Sequence, residues 1–215
     1  MNVLVIGANG QVGRNIVKEL AESNHEATAM VRKEEQIDKL KELGASKVVL
    51  GDLEKDFSDA FEGVDAVIFA AGSGPSTGAD KTLTIDLWGS VKAAQYAQDK
   101  GVKRFVQLGS MGSNDPDAGG ESMKPYLVAK RTADELLQTT NLDYTIVRPG
   151  ALSDEEKSEK IEVSLEGFSS MEGRSIPRAD VAHVLVDVLD RRNTYNKVFE
   201  VLQGDQSASD QLNTI

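Results

Sequence analysis

The chain has 215 residues, 35 of them acidic and 24 basic, and so carries a formal charge of −11 at neutral pH. That balance argues against non-specific binding to nucleic acid or to an anionic membrane surface. The chain contains no cysteine, which excludes disulfides, thiol catalysis and zinc–thiolate sites and suits a cytoplasmic protein.

Hydrophobic residues make up 40% and charged residues 27%, the proportions of a soluble globular domain. The length fits one sizeable α/β domain with a buried core. Apolar runs such as "AVIFAAG" are too short to span a bilayer. The opening "MNVLVIGANG" enters a strand at once, without the basic region and cleavage site of a signal peptide. Neither His25 nor His183 lies in a metal-ligand pattern. A solvated His25, a helix-packed His183 and no metal are expected.

In chain order the apolar pattern alternates between two kinds of segment. "NVLVI" reads as a strand and "QVGRNIVKELAES" as a helix, with Val12, Ile16, Val17 and Leu20 at helical spacing. "EATAMV" is a second strand. "EEQIDKLKELG" is a helix stopped by Gly44. "KVVL" and "DAVIFA" are strands three and four. A long helix is expected from about Ala79 to Lys100, with Trp88 packed on it. "KRFVQLG" is strand five. After a loop-like stretch, Pro125 stands where the first turn of a helix tolerates proline, and that helix runs to about Thr139. "DYTIV" is strand six, followed by "RPG". The helix "ADVAHVLVDVLD" begins near Asp180, a first-turn acid read as structural, and "KVFEVLQ" is the last strand. The polar tail from Gly204 is expected to fray.

Short, doubly apolar strands alternating with helices specify a parallel sheet covered on both faces, a doubly wound Rossmann-like fold in one domain, 1–215. Residues 151–177 break the pattern. They are polar and contain one candidate strand, "KIEVSL". They read as a substrate-side insertion at the C-terminal edges of the sheet.

Gly7, Gly10 and Gly13 fall between strand one and helix one, in "GANGQVG". Gly7 permits the tight turn, Gly10 lets backbone approach a pyrophosphate, and Gly13 lets the helix pack close to the strand. The helix N-terminus offers free N–H groups to phosphate, which brings Asn9, Gln11 and Val12 into the candidate set. An NAD-selective site carries an acid at the end of strand two. Here Arg32 stands in that place. Its forked donors suit a 2′-phosphate, with Lys33 adding charge and Glu34 and Glu35 diluting it. NADP is therefore expected over NAD.

With these motifs in hand, the chain resembles the short-chain dehydrogenase/reductase superfamily. More narrowly it is similar to the atypical and extended branches, with their epimerase/dehydratase-like members. "GDLEK" looks like the family's aspartate-plus-apolar pair, which implies that Asp52 contacts the adenine amino group with Leu53 beside the ring. "FAAG" resembles the segment that lines the nicotinamide ribose, implying Ala70, Ala71 and Gly72. "VQLGSMGS" is similar to the segment ending in the catalytic serine, and "YLVAK" matches YxxxK.

The resemblance implies that Tyr126 is the general acid/base and that Lys130 favours its phenolate and holds the nicotinamide ribose. It implies that Ser110 holds the substrate oxygen, with Ser113 competing for that role. Arg148 is open to a phosphate or to an acid such as Asp143.

Three functions follow. The first is an NADP(H)-dependent oxidoreductase, or epimerase/dehydratase-like enzyme, acting on a small carbonyl or alcohol. The second is a non-catalytic NADP(H)-binding redox sensor. The third is a flavin- or biliverdin-type reductase. The expected partner is a small-molecule substrate rather than nucleic acid or membrane, and the chain is expected as a monomer or a homodimer. Specificity is expected in residues 73–80, 111–124 and 151–177.

Overall fold

The computed structural model describes residues 1–74, 76–169 and 174–215. The strands are β1 (Asn2–Ile6), β2 (Glu26–Val31), β3 (Lys47–Leu50), β4 (Ala66–Phe69), β5 (Arg104–Leu108), β6 (Asp143–Pro149), β7 (Ala151–Ser153), β8 (Lys160–Ser164), β9 (Ser175–Pro177), β10 (Lys197–Gln203) and β11 (Gln206–Ser207). One sheet runs in the order β3-β2-β1-β4-β5-β6-β10-β8-β11, and β7 pairs with β9 apart from it. From β3 to β10 every neighbour is parallel. The strands β8 and β11 add an antiparallel edge. Chain order reverses between β1 and β4, the switch point at which doubly wound sheets open a ligand crevice.

Period-two alternation builds two cores. Val3 and Val5 of β1, Ala27, Ala29 and Val31 of β2, and Val106 of β5 face α1 (Gln11–Ala21), α2 (Ile37–Glu42) and α6 (Arg178–Asp187). Leu4, Ile6, Met30, Val67, Phe69 and Phe105 face α4 (Trp88–Asp99) and α5 (Gly120–Gln138) on the other side. Both faces of each central strand are apolar, which explains the unbroken apolar runs.

Arg104 bolts the base of the sheet. It is 4% exposed. Its guanidinium donates to Val188 O at 2.6 Å and Leu189 O at 3.2 Å, where α6 ends, and to Asp143 O at 2.7 Å and Thr145 Oγ1 at 2.8 Å. The Tyr195 ring lies 4.3 Å beneath it. A cation at a helix C-terminus meets the negative end of the dipole. Burial pulls Arg104 down to about 10, still far above neutral pH.

Several sequence expectations are corrected. The helical stretch expected over 79–100 is continuous to Asp99, but it contains an unforeseen π turn (Thr82–Leu87) between α3 (Ala79–Lys81) and α4. A π turn holds one residue more than an α turn and offsets the helix face that follows. Trp88, the first residue after it, is 51% exposed rather than packed. Helix α5 starts at Gly120, so Pro125 lies inside it and not in its first turn. The tail beyond Gly204 does not fray. Ser207 caps α7 (Ala208–Leu212) by accepting from Asp210 N, and Ala208 and Leu212, four apart on one face, are buried.

His25 is not solvated. Its Nε2 lies 3.3 Å from Asp190 Oδ2 and its side chain is 8% exposed, because the turn into β2 lays it against the chain leaving α6. His183 does pack between helices, with Nδ1 3.0 Å from Glu19 Oε2 of α1. The 151–177 segment supplies β7, β8 and β9 and widens the sheet. Asp180, buried in the first turn of α6, accepts from Ser158 N, Ser158 Oγ and Glu159 N. Parts of the 73–80 and 151–177 stretches, residues 75 and 170–173, lie outside the described residues.

Candidate functional site

The loop between β1 and α1 is shaped by what its glycines lack. A Cβ on Gly7, at φ +89°, would lie 2.6 Å from Ala71 N, and one on Gly13 would lie 2.2 Å from Gly7 O. Gly10 N donates to Gly7 O at 2.9 Å, closing the turn. Gly10 caps α1 with no side-chain hydrogen bond to the first-turn N–H groups. Those donors face outward at the positive end of the helix dipole, the arrangement that holds phosphate. Asn9 Oδ1 accepts from Arg14 Nε and Nη2 at 3.2 and 2.8 Å, fixing the loop's outer side.

Beyond this loop, at the C-terminal ends of β1 to β4, lies a cavity of about 390 Å³. Its walls include Gly7, Asn9, Gly10, Arg32, Asp52, Leu53, Ala70, Ala71 and Gly72 from the sequence-derived set. They also include Ser73, from the 73–80 stretch expected to carry specificity, and Met30, Val31, Gln36, Gly51 and Ile85, which the sequence did not single out. Gln11, Val12 and Gly13 are not walls. Gln11 is exposed, Val12 is 7% exposed in the core, and Gly13 packs beneath Gly7.

At the end of β2, Lys33 Nζ is drawn 3.2 Å from Glu35 Oε1. Arg32 is exposed, and among the described residues its guanidinium makes no hydrogen bond or ion pair. Gln36 Oε1 accepts from Arg32 N at 3.1 Å and Lys33 N at 3.2 Å. After β3, Asp52 Oδ1 accepts from Glu54 N at 3.0 Å, and Leu53 rests on Gly89, where a Cβ would come within 3.1 Å of Leu53 Cδ1.

Glu54 reaches across to the helix side. It accepts from Lys81 Nζ at 2.8 and 2.7 Å and from Thr84 Oγ1 at 3.1 Å. The Lys81 hydrogen bond, helped by Thr84, holds the Glu54 carboxyl below its usual range and Lys81 above its own. The π turn also aims Asp86 inward. Asp86 is 2% exposed, and its Oδ2 accepts from Ser73 N at 2.9 Å, which pins the chain leaving β4.

The YxxxK pair sits one strand further along. Lys130 is 3% exposed and donates to Leu108 O at 2.5 Å, at the end of β5. Tyr126, one turn earlier on the same face, is half-buried. Ser110 is half-buried and makes a long bond, 3.3 Å, to Met111 O. Ser113 is fully buried and its Oγ has no hydrogen-bond partner among the described residues. None of these four forms the walls of the 390 Å³ cavity. Lys130 reaches the end of β5, which is the strand next to β4 in the sheet.

A polar chain buried beneath them was missed by sequence reasoning. Asp134, 0% exposed, accepts from Gln107 Nε2 at 2.6 Å and from Arg148 Nε at 2.9 Å. Gln107 Oε1 accepts from Ser90 Oγ at 2.5 Å. Arg148 thus pairs with Asp134 and not with Asp143. Five residues apart on one strand, Asp143 and Arg148 point to opposite faces. The signal for Asp134 was its place four residues after Lys130. The signal for Gln36 was its place three residues after Lys33, the reciprocal position of a capping box. The signal for Asp86 was absent, since an α pattern does not register a π turn.

A family model described as NAD(P)H-binding matches residues 7–192. The uncharacterized sugar epimerase YhfK of Bacillus subtilis (strain 168) is 40% identical over 99% of both chains. A solved structure from Bacillus halodurans, provisionally labelled an NAD-dependent epimerase/dehydratase, is 52% identical over 100% of both chains, with a TM-score of 0.97. The oxidoreductase ylbE from Lactococcus lactis is 29% identical over 100% of this chain and 96% of that one, with a TM-score of 0.86.

Proposed function

Since the chain belongs to the NAD(P)H-binding family, we propose that it is an NADPH-dependent oxidoreductase acting on a small carbonyl or alcohol compound. The observation that carries this reading is the adjacency of two features. A glycine-walled cavity on the ends of β1 to β4 lies one strand away from the end of β5, which a buried lysine of α5 reaches, with a half-buried tyrosine one helical turn before it. The glycine cradle fits a dinucleotide, because side chains at Gly7 or Gly13 would fill the space the backbone needs. The Gly7–Gly10 loop and first-turn N–H groups would hold the pyrophosphate, Asp52 and Leu53 the adenine, Arg32 the 2′-phosphate, and Ala70 to Gly72 the nicotinamide side. Arg32, whose guanidinium has no hydrogen bond or ion pair among the described residues, favours NADPH over NADH.

Nicotinamide, when bound, supplies or accepts the hydride. The chain's own residues handle the proton. Tyr126 Oη gives or takes it at the substrate oxygen. Lys130 is held by Leu108 O with its charge one turn from the phenol, where a cation favours phenolate. Ser110 is the accessible serine and donates to the same oxygen, while Ser113 is sealed in. The sugar epimerase description of the Bacillus subtilis relative directs the substrate panel toward sugar-like carbonyls and alcohols.

The test is NADPH consumption by the purified protein against carbonyl, quinone and sugar-like acceptors. Tyr126→Phe should lower the rate at least about tenfold, the low end of acid/base contributions. A variant with unchanged rate removes Tyr126 from the chemistry and leaves direct hydride transfer to a planar acceptor such as a flavin. Tight nucleotide binding with no turnover of any acceptor would make the protein a binding module.

A further inference from the structure

Gln36 offers a determinant of nucleotide choice that lies outside the glycine loop and the arginine at the end of β2. It ends the short 3-10 turn after β2, and its side chain folds back over the strand end. Its Oε1 accepts from both Arg32 N and Lys33 N. Both partners are donors, so only the amide oxygen can face them, and the orientation is fixed. Nε2, with two N–H bonds, is the polar atom left over. Among the described residues it donates to none. Gln36 is half-buried and forms the cavity wall together with Arg32.

Two consequences follow. The backbone N–H groups at the end of β2 are already satisfied by the protein, so a ribose phosphate does not find them free. Recognition at this wall therefore falls to two side chains, the Arg32 guanidinium and the Gln36 carboxamide. Both have donors to offer there, and neither has a free acceptor. An NAD-selective wall needs the reverse, an acid that accepts from ribose hydroxyls.

Resting on the NADPH reading above, we propose that Gln36 is a specificity-determining residue. Its Nε2 donates to the 2′-phosphate beside Arg32, and its neutrality is what leaves Arg32 unpaired for that phosphate. One functional group then decides the preference. Gln36→Glu keeps the length of the side chain and keeps an oxygen for Arg32 N and Lys33 N. It replaces the donor by an acceptor and adds a negative charge. The new carboxylate repels a 2′-phosphate, draws Arg32 to itself, and accepts from the ribose hydroxyls of NADH.

The experiment measures dissociation constants of NADPH and NADH on the full chain by nicotinamide fluorescence, for wild type, Gln36→Glu and Arg32→Ala. Wild type should bind NADPH more tightly. Gln36→Glu should lower the ratio of the NADH constant to the NADPH constant at least about tenfold, the size of one like-charge contact near a surface. Suppose wild type prefers NADPH, Arg32→Ala removes that preference, and Gln36→Glu leaves the ratio unchanged. The inference then fails while the NADPH reading stands. If wild type shows no preference for NADPH, the NADPH reading fails and the inference fails with it.

Discussion

Asp134 joins the helix of the YxxxK pair to the strands beneath it. It is fully buried, and its two oxygens are committed to Gln107 Nε2 and Arg148 Nε. Arg148 is 12% exposed at the side chain. Asp134→Ala leaves that guanidinium desolvated without its counter-charge and Gln107 without an acceptor. Breaking a buried pair from one side costs about 3–5 kcal/mol, a large part of the roughly 5–15 kcal/mol that holds a domain together. Urea unfolding should show a midpoint at least about 1 M lower with an unchanged slope.

The double change Asp134→Leu with Arg148→Met removes both charges and should cost less than Asp134→Ala alone, since no charge is left stranded. Asp134→Asn should fall between. Its carboxamide can accept from Arg148 Nε and donate to a flipped Gln107, whose amide then donates to Ser90. Gln107 precedes Leu108, whose carbonyl holds Lys130, so Asp134→Ala should also lower turnover more than nucleotide affinity. A loss below about 1 kcal/mol in Asp134→Ala, or simple additivity in the double variant, would refute this account.

Three further outcomes are expected. Gly13→Ala drives a methyl to 2.2 Å from Gly7 O. It should cost about 1–3 kcal/mol of stability and most of the nucleotide affinity. By contrast Gly101→Ala, at φ +75° with nothing within 4 Å, should cost only the left-handed backbone term of about 1–2 kcal/mol and leave binding intact, a contrast readable by thermal melting and nucleotide titration. Arg104→Met strips four acceptors of their donor and should destabilise by about 2–5 kcal/mol, with Arg104→Lys restoring only part of it because the fork is lost.

The Glu54–Lys81 clasp has a pH signature. Glu54 is held below its ordinary 4.5 and Lys81 above its ordinary 10.5. Their contribution is therefore present between those values. It is lost as pH falls through the depressed carboxyl value or rises through the raised ammonium value. The difference in unfolding midpoint between wild type and Glu54→Gln should be small at pH 7, since both partners are partly exposed, should begin to shrink as pH falls below 4.5, and should vanish only below the depressed carboxyl value.

The strands of the central parallel sheet and its doubly wound character were legible because both faces of each strand are apolar and the intervening helices carry a 3.6-residue stripe. The glycine loop was legible because Gly7 and Gly13 answer steric demands that any dinucleotide fold makes. What escaped has a common cause, in that it depends on atoms brought together across the fold. The pairing of Arg148 with Asp134, and not Asp143, is set by the face on which a strand residue emerges. The π turn at Thr82–Leu87 leaves no mark in an amphipathic count, and it displaced Trp88 outward. The tail looked polar by composition, yet Ala208 and Leu212 give it an apolar face. The role of Gln36 rests on a single carbonyl oxygen bending back on two backbone donors.

The placement of β10 bears on biosynthesis. It lies between β6 and the antiparallel edge, although it is made near the end of the chain. While the ribosome is still working on residues 150–196, β6 is a growing chain's outermost strand, with Ile146 and Val147 fully buried in the finished molecule. Its free backbone groups are then a template for any other extended segment. Completion of β10 is therefore the step that converts an adhesive intermediate into a closed molecule. Products that stop short of Lys197 should be found in the insoluble fraction, whatever the state of their nucleotide loop.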